Sequence, residues 1–152
     1  MGKAAWGWVL AICFFVAAAG PSGAQPFGTL SLTRLSEVRI EVAAGDGVDA
    51  ESAQVLVEER LQKAGIVVKS EASSLLQVSI KAGRALLMTD LTLSQGVCLE
   101  REPVITAVVP TWVLGRAVRL AEGGSVDGEV ATSLETLLQE FVREWELANR
   151  LP

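Results

Sequence analysis

A helical stripe of apolar residues near the end of the chain most constrains how it can fold. From Asp127 onward, apolar side chains recur at spacings of 4, 3, 4, 4 and 3 residues: Val130, Leu134, Leu137, Phe141, Trp145 and Ala148. This spacing predicts an amphipathic helix, with Asp127 as its cap and Glu129 near its positive end. Such a helix needs a second layer of structure to cover its apolar face.

Much of the remaining chain alternates between apolar and polar residues, a pattern typical of half-buried strands. Residues 35–42, 76–82 and 87–99 alternate in this way, and residues 104–109 are rich in strand-forming residues. Proline lacks an amide hydrogen, so Pro110 predicts an edge position or a bulge. We expect the sheet to end near Trp112.

A shorter helix is predicted between the first two strands. Asp49 is placed to cap it, and small and apolar residues follow at helical spacing: Ala53, Val57, Leu61 and Ala64. Gly65 is suited to end the helix, and a short strand over residues 66–69 follows at once.

These elements predict the order β-α-β-β-β-β-α in a single domain over residues 35–150. Short turns between consecutive strands favour antiparallel pairing. We therefore expect an α+β two-layer sandwich, with a mainly antiparallel sheet of four or five strands and two helices on one face.

The first 24 residues have the features of a secretory signal. Lys3 precedes an apolar run over residues 4–19, and Ser22 and Ala24 are the small residues expected before a cleavage site. Cleavage before Gln25 would leave an extended leader over residues 25–34 and place the protein in the periplasm. The alternative is an uncleaved membrane anchor, although the apolar run is shorter than the roughly 20 residues that a span requires.

Composition excludes several classes of function. The chain has no histidine, which removes imidazole triads and histidine metal sites, and its net charge of −5 argues against nucleic-acid binding. Cys98 is the only cysteine outside the predicted signal, so no intrachain disulfide can form after cleavage. Cys98 itself is expected to be a half-buried hydrophobic residue. We expect no cofactor, no metal, and no stable membrane span after cleavage.

The layout resembles small exported bacterial proteins that are uncharacterised and the lipopolysaccharide-assembly lipoproteins. The resemblance is carried by the strand around residues 35–40, the helix-to-strand passage over residues 59–68, and the last helix. It implies an envelope protein of α+β fold. Those lipoproteins begin with a lipid-bearing cysteine, whereas cleavage here would expose Gln25.

Two acidic clusters are candidate functional sites. Asp46, Asp49 and Glu51 are close in sequence but do not complete a calcium loop, so a loop followed by a helix cap is the better interpretation. Glycoside hydrolysis requires a pair of carboxylates, which Glu100 and Glu102 could supply. A turn between strands would, however, leave both side chains solvated.

The candidate partner-binding residues are Thr111, Trp112, Arg116 and Arg119. Tryptophan and arginine are enriched at protein interfaces, although a core position beneath the last helix is the favoured interpretation for Trp112. The leading hypothesis is an exported, non-catalytic binding protein of the cell envelope. The alternatives are a carboxylate-only glycan hydrolase and a binder of a small apolar ligand between sheet and helices.

Overall fold

A computed structural model describes residues 30–99, 105–121 and 125–150. The described residues form a five-stranded sheet and two long helices, in the element order that the sequence predicts. The elements are β1 (Glu37–Ala44), α1 (Ala50–Ala64), β2 (Val67–Val68), β3 (Leu75–Ala82), β4 (Leu86–Leu99), β5 (Ile105–Arg119) and α2 (Val126–Arg150). The predicted signal over residues 1–24 and the acidic turn at Glu100 and Glu102 lie outside the described residues.

The sheet is mixed. Its strand order is β2-β1-β3-β4-β5; β1 pairs in parallel with β2 and β3, whereas the β3–β4 and β4–β5 pairs are antiparallel. The α+β prediction is confirmed, but the preference for antiparallel pairing fails around β1. The reason is that α1 returns the chain to the start of β1, and residues 69–74 then carry it across to the other side of β1.

Both helices pack on one face of the sheet, here called the inner face. Leu76 on β3, Leu93 on β4 and Trp112 on β5 are neighbours on that face, and all three are buried. The predicted stripe of α2 supplies most of the opposing layer: Val130, Leu134, Leu137, Phe141 and Ala148 are buried, and Trp145 is half-buried. The opposite side of the sheet, the outer face, has no helix of the described residues on it.

Local capping explains where α1 begins and ends. Asp49 accepts hydrogen bonds at Oδ1 from the amides of Glu51 and Ser52, at 3.0 and 3.2 Å, so the cap interpretation of this acidic cluster is confirmed. Gly65 ends the helix with φ of 89°, a left-handed conformation that glycine adopts without steric cost.

The helix α2 begins at Val126, and its cap is Ser125, whose Oγ accepts from the Gly128 amide at 3.3 Å. The prediction of Asp127 as this cap is wrong by two residues.

The described part of the predicted leader, residues 30–34, packs against the last helix. Residues 30–34 form a turn in which Leu32 is completely buried, rather than an extended segment. Asn149 on α2 holds this turn by donating from Nδ2 to the Leu32 carbonyl at 2.9 Å and accepting from the Arg34 amide at 2.7 Å. Leu32 thus belongs to the buried core cluster.

Candidate binding surface

The four predicted contact residues all lie on β5, which is an edge strand. Within the described part of the chain β5 pairs only with β4, so its other side presents unpaired backbone amides and carbonyls. The strand has 15 residues, which corresponds to about 50 Å at ~3.4 Å per residue. It continues to Arg119, so the expectation that the sheet ends near Trp112 is wrong.

A bulge interrupts β5 next to Pro110. Trp112 pairs with Leu93 and Pro110 pairs with Ser94, which leaves Thr111 as the extra residue of the strand. Thr111 donates from Oγ1 to Gln95 Oε1 at 2.8 Å, and its Oγ1 also lies 3.3 Å from the Leu93 carbonyl oxygen. The edge position and the bulge predicted from Pro110 are both found, and the Thr111 hydroxyl is used within the protein.

Trp112 is a core residue and not a surface anchor. It is 2% exposed and packs edge-to-face on Phe141, with ring centroids 4.9 Å apart and an interplanar angle of 74°. Its Nε1 donates to Glu144 Oε2 at 2.7 Å. Its assignment to the contact surface is therefore corrected: the last helix covers it, as the core interpretation predicts.

The two arginines lie on opposite faces of β5. Arg116 is opposite Thr89 on the inner face and is half-buried, whereas Arg119 is opposite Leu86 on the outer face and is exposed. Neither guanidinium forms an ion pair or hydrogen bond with any residue of the described ranges. The structure thus places the four predicted residues on one strand but does not gather them into one patch.

Exposed apolar side chains also lie on β5, outside the four predicted contact residues. Val113 is 56% exposed and Val108 is 69% exposed, both on the outer face. Leu86 and Met88 on the neighbouring β4 are also exposed on this face. The period of two could have identified Val113, because the residue after a buried strand residue points to the opposite face.

The two longest strands extend beyond the rest of the sheet. The pairing of β3 with β4 ends at Leu75 and Ser94, while β4 and β5 remain paired as far as Leu99 and Ile105. No charged residue occurs in the described part of this arm, residues 95–99 and 105–109. Cys98 lies on the arm and is exposed, which corrects the expectation that it is half-buried.

A groove lies between the two helices. Its volume is about 190 Å³, and it is lined mainly by Ala53, Leu56, Val130, Ala131 and Leu134, with Asp49, Ser52 and Asp127 completing the lining. This volume lies below the roughly 300–1,000 Å³ of typical small-molecule sites. The groove is lined by residues of the two helices and the α1 cap alone, whereas the apolar-ligand hypothesis places the ligand between helices and sheet.

The described residues contain neither a candidate membrane span nor a candidate metal cluster. In residues 30–99, 105–121 and 125–150, no helix is both long and apolar enough to cross a membrane. Within the same ranges, no group of three or more cysteine or acidic side chains is placed to hold a metal ion.

Comparison with known proteins gives no family. No protein-family model matches the chain, and no curated protein matches it significantly. Among solved structures, the chain is similar to the PelC dodecamer from Paraburkholderia phytofirmans, with 11% identity, coverage of 72% of this chain and 87% of that chain, and a TM-score of 0.43.

Two further structures are similar at a lower level. An uncharacterised protein has 12% identity and a TM-score of 0.34, with 78% of this chain and 92% of that chain covered. The rare lipoprotein B from Shewanella oneidensis has 13% identity and a TM-score of 0.27, with 72% and 87% covered. These values are too low to assign a family or an activity. The resemblance expected from the layout is found in part: an uncharacterised protein and a lipoprotein are among the similar structures, and no family is shown.

Proposed function

We propose that this protein is an exported, non-catalytic binding protein of the bacterial cell envelope, and that its partner pairs with the free edge of β5. The observation that carries the proposal is the edge itself. Fifteen residues of β5 have one strand neighbour among the described residues, and exposed Val108 and Val113 lie along the same strand. An extended segment of another protein can add to such an edge as a further strand.

The physical basis is the unpaired backbone of the edge. Amides and carbonyls that face water on β5 can exchange their water contacts for ladder hydrogen bonds with an added strand. Each such bond contributes modestly, but a strand of six to eight residues forms several of them in register. Burial of Val113 beneath a partner side chain would add an apolar contribution.

The export and non-catalytic parts of the proposal rest on the sequence. The run after Lys3 and the small residues before Gln25 support secretion to the periplasm. The absence of histidine from the chain removes the commonest general base and metal ligand. A binding role requires neither.

Site-specific photo-crosslinking in the native host tests the proposal. A photo-reactive amino acid at Val113 should crosslink the protein to an envelope protein, because this side chain is exposed beside the free edge. The matched control is the same amino acid at Gln139, an exposed position on α2, which packs on the inner face of the sheet and does not pair with the free edge. An equal yield of the same product at both positions, or no product at Val113, would contradict the proposal.

A further inference from the structure

Both charged residues of β5 are positive, although the chain as a whole has a negative net charge. Arg116 and Arg119 are the only charged residues between Ile105 and Arg119, whereas the whole chain has a net charge of −5. The two guanidinium groups have no ion-pair partner within the described ranges. This part of the edge therefore offers positive charge to a ligand.

Further cations lie at the same end of the sheet. Arg84 is in the turn between β3 and β4, and Lys81 is opposite Met88, the β4 residue that pairs with Ala117. Neither forms an ion pair with a described residue. The cations that are ion-paired lie on other parts of the fold: Arg39, Arg60, Lys63, Lys69, Arg143 and Arg150.

The regular part of the edge is the stretch after the bulge. Pro110 supplies no amide donor, and Thr111 is the extra residue of the bulge. Residues 112–119 pair with β4 without a further shift, so a strand added along them would meet a regular edge. Within this stretch, the exposed valine and the two arginines are three residues apart: Val113, Arg116 and Arg119.

We propose that the segment that pairs with β5 is an extended acidic peptide strand of another protein, with carboxylates three residues apart that meet Arg116 and Arg119. This inference rests on the proposed function. A residue opposite Arg116 lies on the inner face and one opposite Arg119 on the outer face, so acidic residues at that spacing meet one arginine each. The residue that faces Val113 is three positions from the acid that meets Arg116, on the side away from the acid that meets Arg119. We expect this residue of the partner to be apolar.

A second copy of this chain fits the edge less well. The strand β5 has no acidic residue, so β5 paired with its own copy would give Arg116 and Arg119 no counter-charge from the facing strand. Opposite charges directly across a strand pair stabilise the pair, and like charges destabilise it. The charge pattern therefore favours a different and acidic chain.

The first test identifies the residues crosslinked by the photo-reactive amino acid at Val113. We expect a segment with at least two Asp or Glu residues three positions apart. The Arg116→Glu, Arg119→Glu variant should lower the crosslink yield about tenfold. Lys63→Glu, at an exposed position of α1, should leave it unchanged. Circular dichroism must show that each variant is folded.

The second test exchanges the charges. A synthetic peptide that copies the crosslinked segment should bind the full chain, and a copy with Gln at the acidic positions should bind roughly five- to tenfold more weakly in fluorescence anisotropy. A copy with Lys at those positions should bind the Arg116→Glu, Arg119→Glu variant better than the original protein.

The outcomes separate the two proposals. No product at Val113 contradicts the proposed function and this inference together. Another protein crosslinked through a segment without paired acidic residues, or a yield that is insensitive to charge reversal, overturns this inference and leaves the proposed function standing. A crosslink to a second copy of the chain also overturns it.

Discussion

Trp112 on β5 donates a hydrogen bond from its indole Nε1 to Oε2 of Glu144 on α2, at 2.7 Å, and both side chains are buried. Glu144 is 8% exposed. Because an unpaired carboxylate or indole N–H is costly to bury, this contact fixes how the last helix lies on the edge strand. The strand proposed to bind the partner is thereby tied to the core at its centre.

Trp112→Ala should destabilise the fold rather than only weaken binding. The change removes a buried aromatic side chain from its contact with Phe141, and we expect a loss of about 3–5 kcal/mol in the free energy of unfolding. Urea unfolding measures this loss. The control is Val113→Ala, which truncates the neighbouring exposed residue and should change stability by less than about 0.5 kcal/mol. Similar midpoints for the two variants would contradict the core position of Trp112.

Glu144 should prove to be coupled to Trp112. Glu144→Ala leaves the buried Nε1 without its acceptor, and we expect a cost of about 1–3 kcal/mol. Glu144→Gln retains a carbonyl acceptor and should cost less. A double-mutant cycle of Glu144→Ala with Trp112→Phe should give a coupling energy of about 0.5–3 kcal/mol. Additive effects would mean that the hydrogen bond contributes nothing.

The helices and their caps were predictable because their signals are local. The apolar stripe of α2 and the ends of α1 at Asp49 and Gly65 depend on residues within a few positions of each other. Alternation likewise identified the strands. The cap of α2 was misplaced because Asp127 and Ser125 are both suitable residue types, and only the backbone decides between them.

The parallel pairing of β1 and the burial of Trp112 depend on residues that are distant in sequence. No local signal shows that residues 69–74 cross β1, so the parallel pairing of β1 with β3 could not be derived from turn length. Trp112 is buried because Phe141 and Glu144, about thirty residues later, meet it. Of the candidate surface, the edge at Pro110 and the residues Arg116 and Arg119 could be selected from sequence, whereas alternation places Val113 on the exposed face only once Trp112 is known to be buried.

Gly115→Ala should be unfavourable because of one neighbour, Asp90. A Cβ at position 115 would overlap Oδ1 of Asp90, which faces Gly115 across the outer face. Since this carboxylate can rotate away, we expect a loss of no more than about 1 kcal/mol in thermal or urea unfolding. In an Asp90→Ala background the same change should become neutral or stabilising, because alanine loses less backbone entropy than glycine. An undiminished loss in that background would contradict the overlap.

Asn149→Ala should loosen the turn that precedes β1. It removes both the donor to the Leu32 carbonyl and the acceptor for the Arg34 amide, which we expect to cost about 1–2 kcal/mol. Amide hydrogen exchange should accelerate at Arg34 more than in the central strand β3. Asn149→Asp separates the two contacts, because it keeps the acceptor and loses the donor. Unchanged exchange at Arg34 in Asn149→Ala would show that the turn is held by other contacts.

The cap at Asp49 should make stability depend on pH in the acidic range. Hydrogen bonds lower the pKa of this carboxyl below its usual 3.8: the Ser52 hydroxyl has the largest effect, followed by the Ser52 amide, with a smaller part from the Glu51 amide. Ser52→Ala should therefore raise the pKa of Asp49 toward 3.8, as measured by carbon-detected NMR titration. An unchanged Asp49 pKa in this variant would contradict the role of the hydroxyl.

Because folding lowers the pKa of Asp49, the unfolded chain binds the proton more tightly, and the contribution of the carboxylate is complete above the unfolded value. It is lost as the pH falls through the lower, folded value. The matched variant is Asp49→Asn, which keeps an acceptor for the helix amides but does not titrate. The difference in unfolding free energy between the original protein and this variant should be constant above about pH 5. Below about pH 4, the unfolding free energy of the original protein should fall relative to that of the variant. A difference that stays constant down to the acid-unfolding range would show that the pKa of Asp49 is the same in the folded and unfolded chain.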